Sequence, residues 1–92
     1  MLSYLNMGKR ITFFGRIQGV GFRAAAEMLA VKYNIGGWIQ NNDDGTVSLI
    51  IEGEEEKMKD FMDHLKRYFK NNIDKIEERE EDEHGFKEFT IR

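Results

Sequence analysis

The chain has 92 residues, of which 40% are hydrophobic, including seven Phe, and 34% are charged. That balance suits one soluble globular domain with a modest core, above the ~55–65 residues at which small domains fold alone. Cysteine is absent, which excludes disulfides, thiolate metal sites and cysteine nucleophiles, and the net charge of −3 weighs against a nucleic-acid partner, because Lys and Arg contacts to phosphate carry most of that affinity.

No apolar run approaches the ~18 residues needed to span a bilayer, and "MLSYLNMGKR" lacks the basic-then-apolar order of a secretion signal. Cytoplasm is therefore the expected compartment, with no membrane partner. A start at Met7 would make "MGKRIT" a formal myristoylation pattern, but Thr12 falls inside the first strand candidate and the match is short. Residues 1–8 are expected to be an N-terminal extension to a domain over 9–92.

In "RITFFG" Ile11 and Phe13 alternate with Thr12 and Phe14, which predicts a strand with two differently occupied faces, ending at Gly15. From Phe22 onward Ala25, Ala26, Leu29 and Tyr33 follow at helical spacing, and "NIGG" stops that helix, with Gly36 free to take the left-handed conformation of a C-terminus. "GWIQNNDDGTVSLIIEG" reads as two strands around a turn at "NDDG", with Val47, Leu49 and Ile51 on one face. Met58, Phe61, Met62, Leu65 and Phe69 mark a second helix over 54–70, led by Glu54, Glu55 and Glu56 and closed by Lys66, Arg67 and Lys70, an order that complements the helix dipole at both ends. "IDKIEERE" is a weaker, exposed strand candidate, and Phe89 and Ile91 alternate with polar residues in "FKEFTIR". The order predicts an α+β fold: a ferredoxin-like βαββαβ plait with two helices on one face of an antiparallel sheet, plus a short extra C-terminal strand.

"FGRIQGVGFR", residues 14–23, sits between the first strand and the first helix. There the backbone N–H groups lack intrahelical partners, and Gly15, Gly19 and Gly21 permit the angles that a nest of amides around an anion requires. Arg23 in the first helical turn opposes the dipole, at a cost of roughly 0.3–1 kcal/mol, unless an anion is bound. Named phosphate motifs do not fit: a P-loop's Gly-Lys-Ser/Thr is missing, and "GVGFRA" lacks the third glycine of a dinucleotide fingerprint. "QNNDDG" is not a calcium loop either, because Gln40 and Ile51 stand where the first and twelfth ligands would need Asp and Glu.

"GRIQGVGFR" resembles the first motif of the acylphosphatases, and residues 37–53 resemble the second: Gly, aromatic, aliphatic, a polar residue, Asn, then Gly-x-Val and a closing Gly. The resemblance runs over 9–92 and implies hydrolysis of the carboxyl-phosphate bond of acyl phosphates, by a small free-standing enzyme that is a monomer without cofactor or metal and is inhibited by its product, inorganic phosphate. It further implies that the backbone of Gly15, Arg16, Ile17, Gln18, Gly19, Val20 and Gly21 cradles the phosphate, that Arg23 binds its oxygens, and that the Asn41 side-chain amide holds the attacking water. Two positions depart from the family's habit. Gln40 replaces a frequent Lys or Arg, and Asn42 replaces a frequent hydroxyl residue, which bears on pocket charge and turn stability.

The remaining conspicuous residues read as structural. His64 and His84 are expected on the surface, the carboxylates of 77–83 on a solvated edge strand and turn, and Trp38 and Phe22 in the core and pocket wall. Arg16 either strengthens the local positive field or faces solvent. Two rivals share the plait: an RNA-binding module, which would want aromatics that "TVSLIIEG" lacks, and a non-catalytic phosphate- or small-anion-binding module like the one at the front of larger hydrogenase-maturation proteins, which would carry zinc-finger cysteines and an extension beyond Arg92.

Overall fold

The computed structural model describes residues 6–92. Strand alternation and helical spacing resolve into β1 (Asn6–Gly15), α1 (Phe22–Tyr33), β2 (Gly36–Asn41), β3 (Val47–Glu54), α2 (Glu55–Tyr68), β4 (Ile73–Glu81) and β5 (Phe89–Ile91). β1 begins earlier than the apolar pattern of "RITFFG" suggests, because Asn6 to Lys9 pair with Glu54 to Ile51 of β3 regardless of side-chain character. Of the expected extension over 1–8, residues 1–5 lie outside the described residues and the rest belong to β1.

The strands lie in the order β4-β1-β3-β2-β5, with β1 antiparallel to both β3 and β4, and β2 antiparallel to β3. This is the split βαβ plait with an added strand. β5 runs parallel to β2, so the five-stranded sheet is mixed, a detail that the alternation of Phe89 and Ile91 does not disclose.

Both helices pack on one face. Ile11, Phe13, Ile39, Val47, Leu49 and Ile51 from the sheet meet Ala26, Leu29, Met58, Phe61 and Leu65 from the helices in one core, and each fully buried Leu, Ile or Phe contributes about 1.5–3 kcal/mol of transfer free energy. The other face carries Trp38 paired with Ile50, and Ile50 with Arg10. Trp38 thus lies outside the main core: it is half-buried beneath the Arg92 guanidinium, 4.4 Å from the ring centre.

α1 ends differently from expectation. Asn34, not Gly36, takes the left-handed conformation (φ 59°), and the Asn34 and Ile35 amides donate to the carbonyls of Val31 and Ala30. Asn tolerates that region because its short polar side chain can bond locally, which releases Gly36 to begin β2.

The chain must cross from β4 at one sheet edge to β5 at the other. Glu52, buried in central β3, anchors the crossing by accepting hydrogen bonds from the amides of His84, Gly85 and Phe86, the latter two at 3.0 Å. This fixes β5 beside β2 and α1, at the end of the sheet where the glycine-rich loop lies.

Candidate active site

The glycine-rich loop is pinned at both ends. At its start the Arg16 amide donates to the Asn72 carbonyl (2.8 Å) and Asn72 Nδ2 donates to the Arg16 carbonyl (2.9 Å). Gly15 has φ 140°, and a Cβ there would lie 2.1 Å from the Asn72 oxygen, so only glycine lets the strand end close against the α2–β4 connection. Ile17 is buried in the core. At the far end Phe22 packs edge-to-face on Phe13 and Phe69, each at 4.9 Å.

Between these anchors Gln18, Gly19, Val20 and Gly21 are exposed. Gly19 and Gly21 have φ of 80° and 85°. Among the described residues, the amides of Ile17 to Gly21 make no hydrogen bond to a main-chain carbonyl. α1 then starts with no side-chain cap and no acid in its first turn, an N-terminus that presents unpartnered donors and a positive dipole end.

A cavity of about 200 Å³ opens at this point, lined by Gly19, Gly21, Arg23 and Asn41 with apolar wall from Ile17, Phe22 and Ile91. It is smaller than the ~300–1,000 Å³ typical for drug-sized ligands and suits a compact anion. Arg23 Nη1 donates to the main-chain oxygen of Arg92 (3.1 Å), which steadies the guanidinium beside the loop. Asn41 ends β2, and its Oδ1 is buried without a hydrogen-bond partner among the described residues. A buried acceptor left unpaired costs about 1–3 kcal/mol, and Asn41 itself lines the cavity.

The turn after Asn41 is heavily braced. Asn42 Nδ2 donates to Thr46 Oγ1 (2.9 Å) and Ser48 Oγ (2.8 Å), and Gln40 Nε2 donates to Asn42 Oδ1 (3.3 Å). The Thr46 hydroxyl and then its amide, donating to Asp44 Oδ1, hold that carboxyl below the usual carboxylate range.

The model of the family described as Acylphosphatase matches residues 9–91. The chain belongs to the acylphosphatase family. An acylphosphatase of Bacillus licheniformis is 42% identical over 94 aligned positions, covering 99% of this chain and 98% of that protein. The crystal structure of acylphosphatase from Bacillus subtilis superposes with a TM-score of 0.84 at 34% identity, covering 94% of this chain and 98% of that one. A full-length HypF crystal structure, in phosphate- and nucleotide-bound form, matches with a TM-score of 0.82 at 35% identity over 95% of this chain but only 12% of its own. The reaction class that goes with the acylphosphatase family is hydrolysis of acyl phosphates, and the matches lend nothing to the RNA-binding rival.

Of the residues that the acylphosphatase motifs single out, Gly19, Gly21, Ile17, Arg23 and Asn41 share the cavity. Gly15, Arg16, Gln18 and Val20 do not line it. Sequence reasoning overlooked Asn72, whose partner is 56 positions away, and the side chain of Gln18, noted only for its backbone. Neither carries a local signal beyond belonging to a polar stretch.

His64 departs from the expected surface position. It is half-buried, and its Nδ1 shares a hydrogen bond with the Tyr33 hydroxyl (3.0 Å), tying α2 to α1. His84 is exposed and pairs with Glu81 (2.9 Å). That bond, followed by the one from Arg10, lowers the Glu81 pKa. Among the described residues no three His, Asp or Glu side chains converge as metal ligands, and no helix is long and apolar enough to cross a membrane.

Proposed function

We propose that the cavity between the loop, Arg23 and Asn41 performs in-line attack of water on the phosphorus of an acyl phosphate. The bond from phosphorus to the acyl oxygen breaks as the bond from phosphorus to water oxygen forms. The products are a carboxylate, inorganic phosphate and a proton. A mixed anhydride has a good carboxylate leaving group and needs little acid assistance, so alignment and charge stabilisation suffice. In this reading the amides of residues 17–21, not those of Gly15 and Arg16 that β4 and Asn72 already engage, bind the phosphate oxygens together with the Arg23 guanidinium, and the bound dianion turns Arg23's unfavourable opposition to the helix dipole into attraction. The Asn41 side-chain amide holds the attacking water and orients it. The substrate's own phosphate takes up the water proton, and no metal or covalent enzyme intermediate is required.

One observation carries this reading: Arg23 and Asn41 border the same small cavity as the glycines of the loop. In the same reading the protein is a cytoplasmic monomer acting on a small molecule without a membrane partner, and the net charge of −3 weighs against nucleic acid as a partner. Hydrolysis of benzoyl phosphate in ¹⁸O-labelled water, with chelator present, tests the chemistry. Label is expected in phosphate and none in benzoate, and label in benzoate would mean attack on the carbonyl. Arg23→Ala is expected to abolish turnover and phosphate inhibition, and Asn41→Ala to lower kcat by ~10²-fold or more, both with unchanged circular dichroism. An Asn41→Ala variant of full activity would remove the water-holding role.

A further inference from the structure

Two parts of the site come from distant pieces of chain: the loop follows β1, and Asn41 ends β2. Water and phosphate must meet at a set distance, so these pieces need a fixed separation. The Gln18 side chain spans them. Its Nε2 donates to the Asn42 carbonyl (2.8 Å) and to the Thr46 carbonyl (3.0 Å), using both amide hydrogens. Two carbonyls facing one terminal group also fix its identity as the nitrogen, since the amide oxygen would be repelled there.

Among the described residues these two bonds are the hydrogen-bonded link between residues 15–21 and the β2–β3 hairpin. The receiving side is rigid. The Asn42 amide donates to the same Thr46 carbonyl (2.8 Å), and the Asn42 side chain is held by Gln40, Thr46 and Ser48. Asn42 directly follows Asn41, so a tether on its carbonyl acts on the residue that holds the water. Loop folding has separate supports, Asn72 at its start and Ile17 and Phe22 in the core.

We infer that Gln18 is a positioning residue that sets the register between the phosphate loop and Asn41, and so governs the alignment of water with phosphorus rather than phosphate affinity. The inference rests on the reading of the site given above. Its test is a double-mutant cycle with benzoyl phosphate on wild type, Gln18→Met, Asn41→Ala and the double variant, recording kcat, the inhibition constant of inorganic phosphate and the melting temperature. Gln18→Met keeps length and neutrality but removes both donors.

The expected result is a fall in kcat of about 10- to 100-fold, the scale of a small misalignment, with phosphate inhibition and melting temperature close to wild type. In the Asn41→Ala background the same change is expected to cost less than about threefold, since coupled sites are not additive. Gln18→Leu, likewise neutral and without a donor, is expected to match Gln18→Met and serves in its place if that variant does not fold. Unchanged kcat in Gln18→Met, phosphate inhibition weakened in step with kcat, or full additivity in the double variant would overturn the tether while leaving the hydrolase reading intact. Wild type without turnover would overturn that reading, and the tether with it.

Discussion

Arg23 and Gly15 divide the chemistry of the loop between attraction and shape. Arg23 supplies charge where the helix N-terminus lacks a cap and an acid. Gly15 supplies closeness: its missing Cβ leaves the Asn72 carbonyl free to receive the Arg16 amide. Gly15→Ala would drive a methyl into that carbonyl at a φ of 140° that L-residues rarely adopt, so a loss of about 2 kcal/mol or more is expected in urea denaturation, together with weaker phosphate inhibition. Gly19→Ala has open space around it, and only its positive φ resists, at about 1–2 kcal/mol. Equal stability of Gly15→Ala and wild type would refute the close-approach role. These glycines were legible in the sequence because three of them fall between a strand pattern and a helical stripe, whereas Asn72 was not, since its meaning depends on a contact across the fold.

The β2–β3 hairpin carries Asn41 on one strand end and keeps it there through its turn. Gln40 and Asn42, the two departures from the family's habit, bond to each other, and Asn42 reaches both Thr46 and Ser48, so the amide at 42 braces the turn where a hydroxyl residue is more frequent. Asp44 is the turn's titrating group. Its folded pKa is lowered by the Thr46 hydroxyl and amide, so its contribution to stability is present above the ordinary carboxylate pKa of about 3.9 and disappears as pH falls through the lower folded value. Protection of the Thr46 amide, measured against its intrinsic exchange rate, is therefore expected to fall below about pH 4 in wild type, and Asp44→Ala to show that lower protection already at neutral pH. Identical Thr46 exchange in the two proteins would contradict this role.

The elements themselves were readable from periodicity. Where the reading missed, competing local rules decided: Asn34 took the left-handed position assigned to Gly36, and backbone pairing with β3 carried β1 back to Asn6 through residues without an apolar pattern.

At the scale of the molecule, the plait brings the β1–α1 loop, the end of β2 and the terminal strand to one end of the sheet, and Glu52 secures the crossing that delivers β5 there. Fold class followed from element order, but the parallel pairing of β5 and the open-face position of Trp38 are properties of the assembled sheet that no local pattern reports. A larger cavity of about 700 Å³ lies between α1 and β5, with Glu27 and Glu88 among its walls, and volume alone would favour it. Charge argues otherwise, because there two carboxylates outweigh the single cation of Lys87, whereas Arg23 and unpartnered amides attract a phosphate dianion. A titration with inorganic phosphate, followed by nuclear magnetic resonance of every backbone amide and the Arg23 Nε, decides between them most directly. Saturable shifts centred on Gly19, Gly21 and Arg23 that vanish in Arg23→Ala are expected; shifts centred on Met28, Val31 and Lys87, or none at the loop, would contradict a phosphate site there.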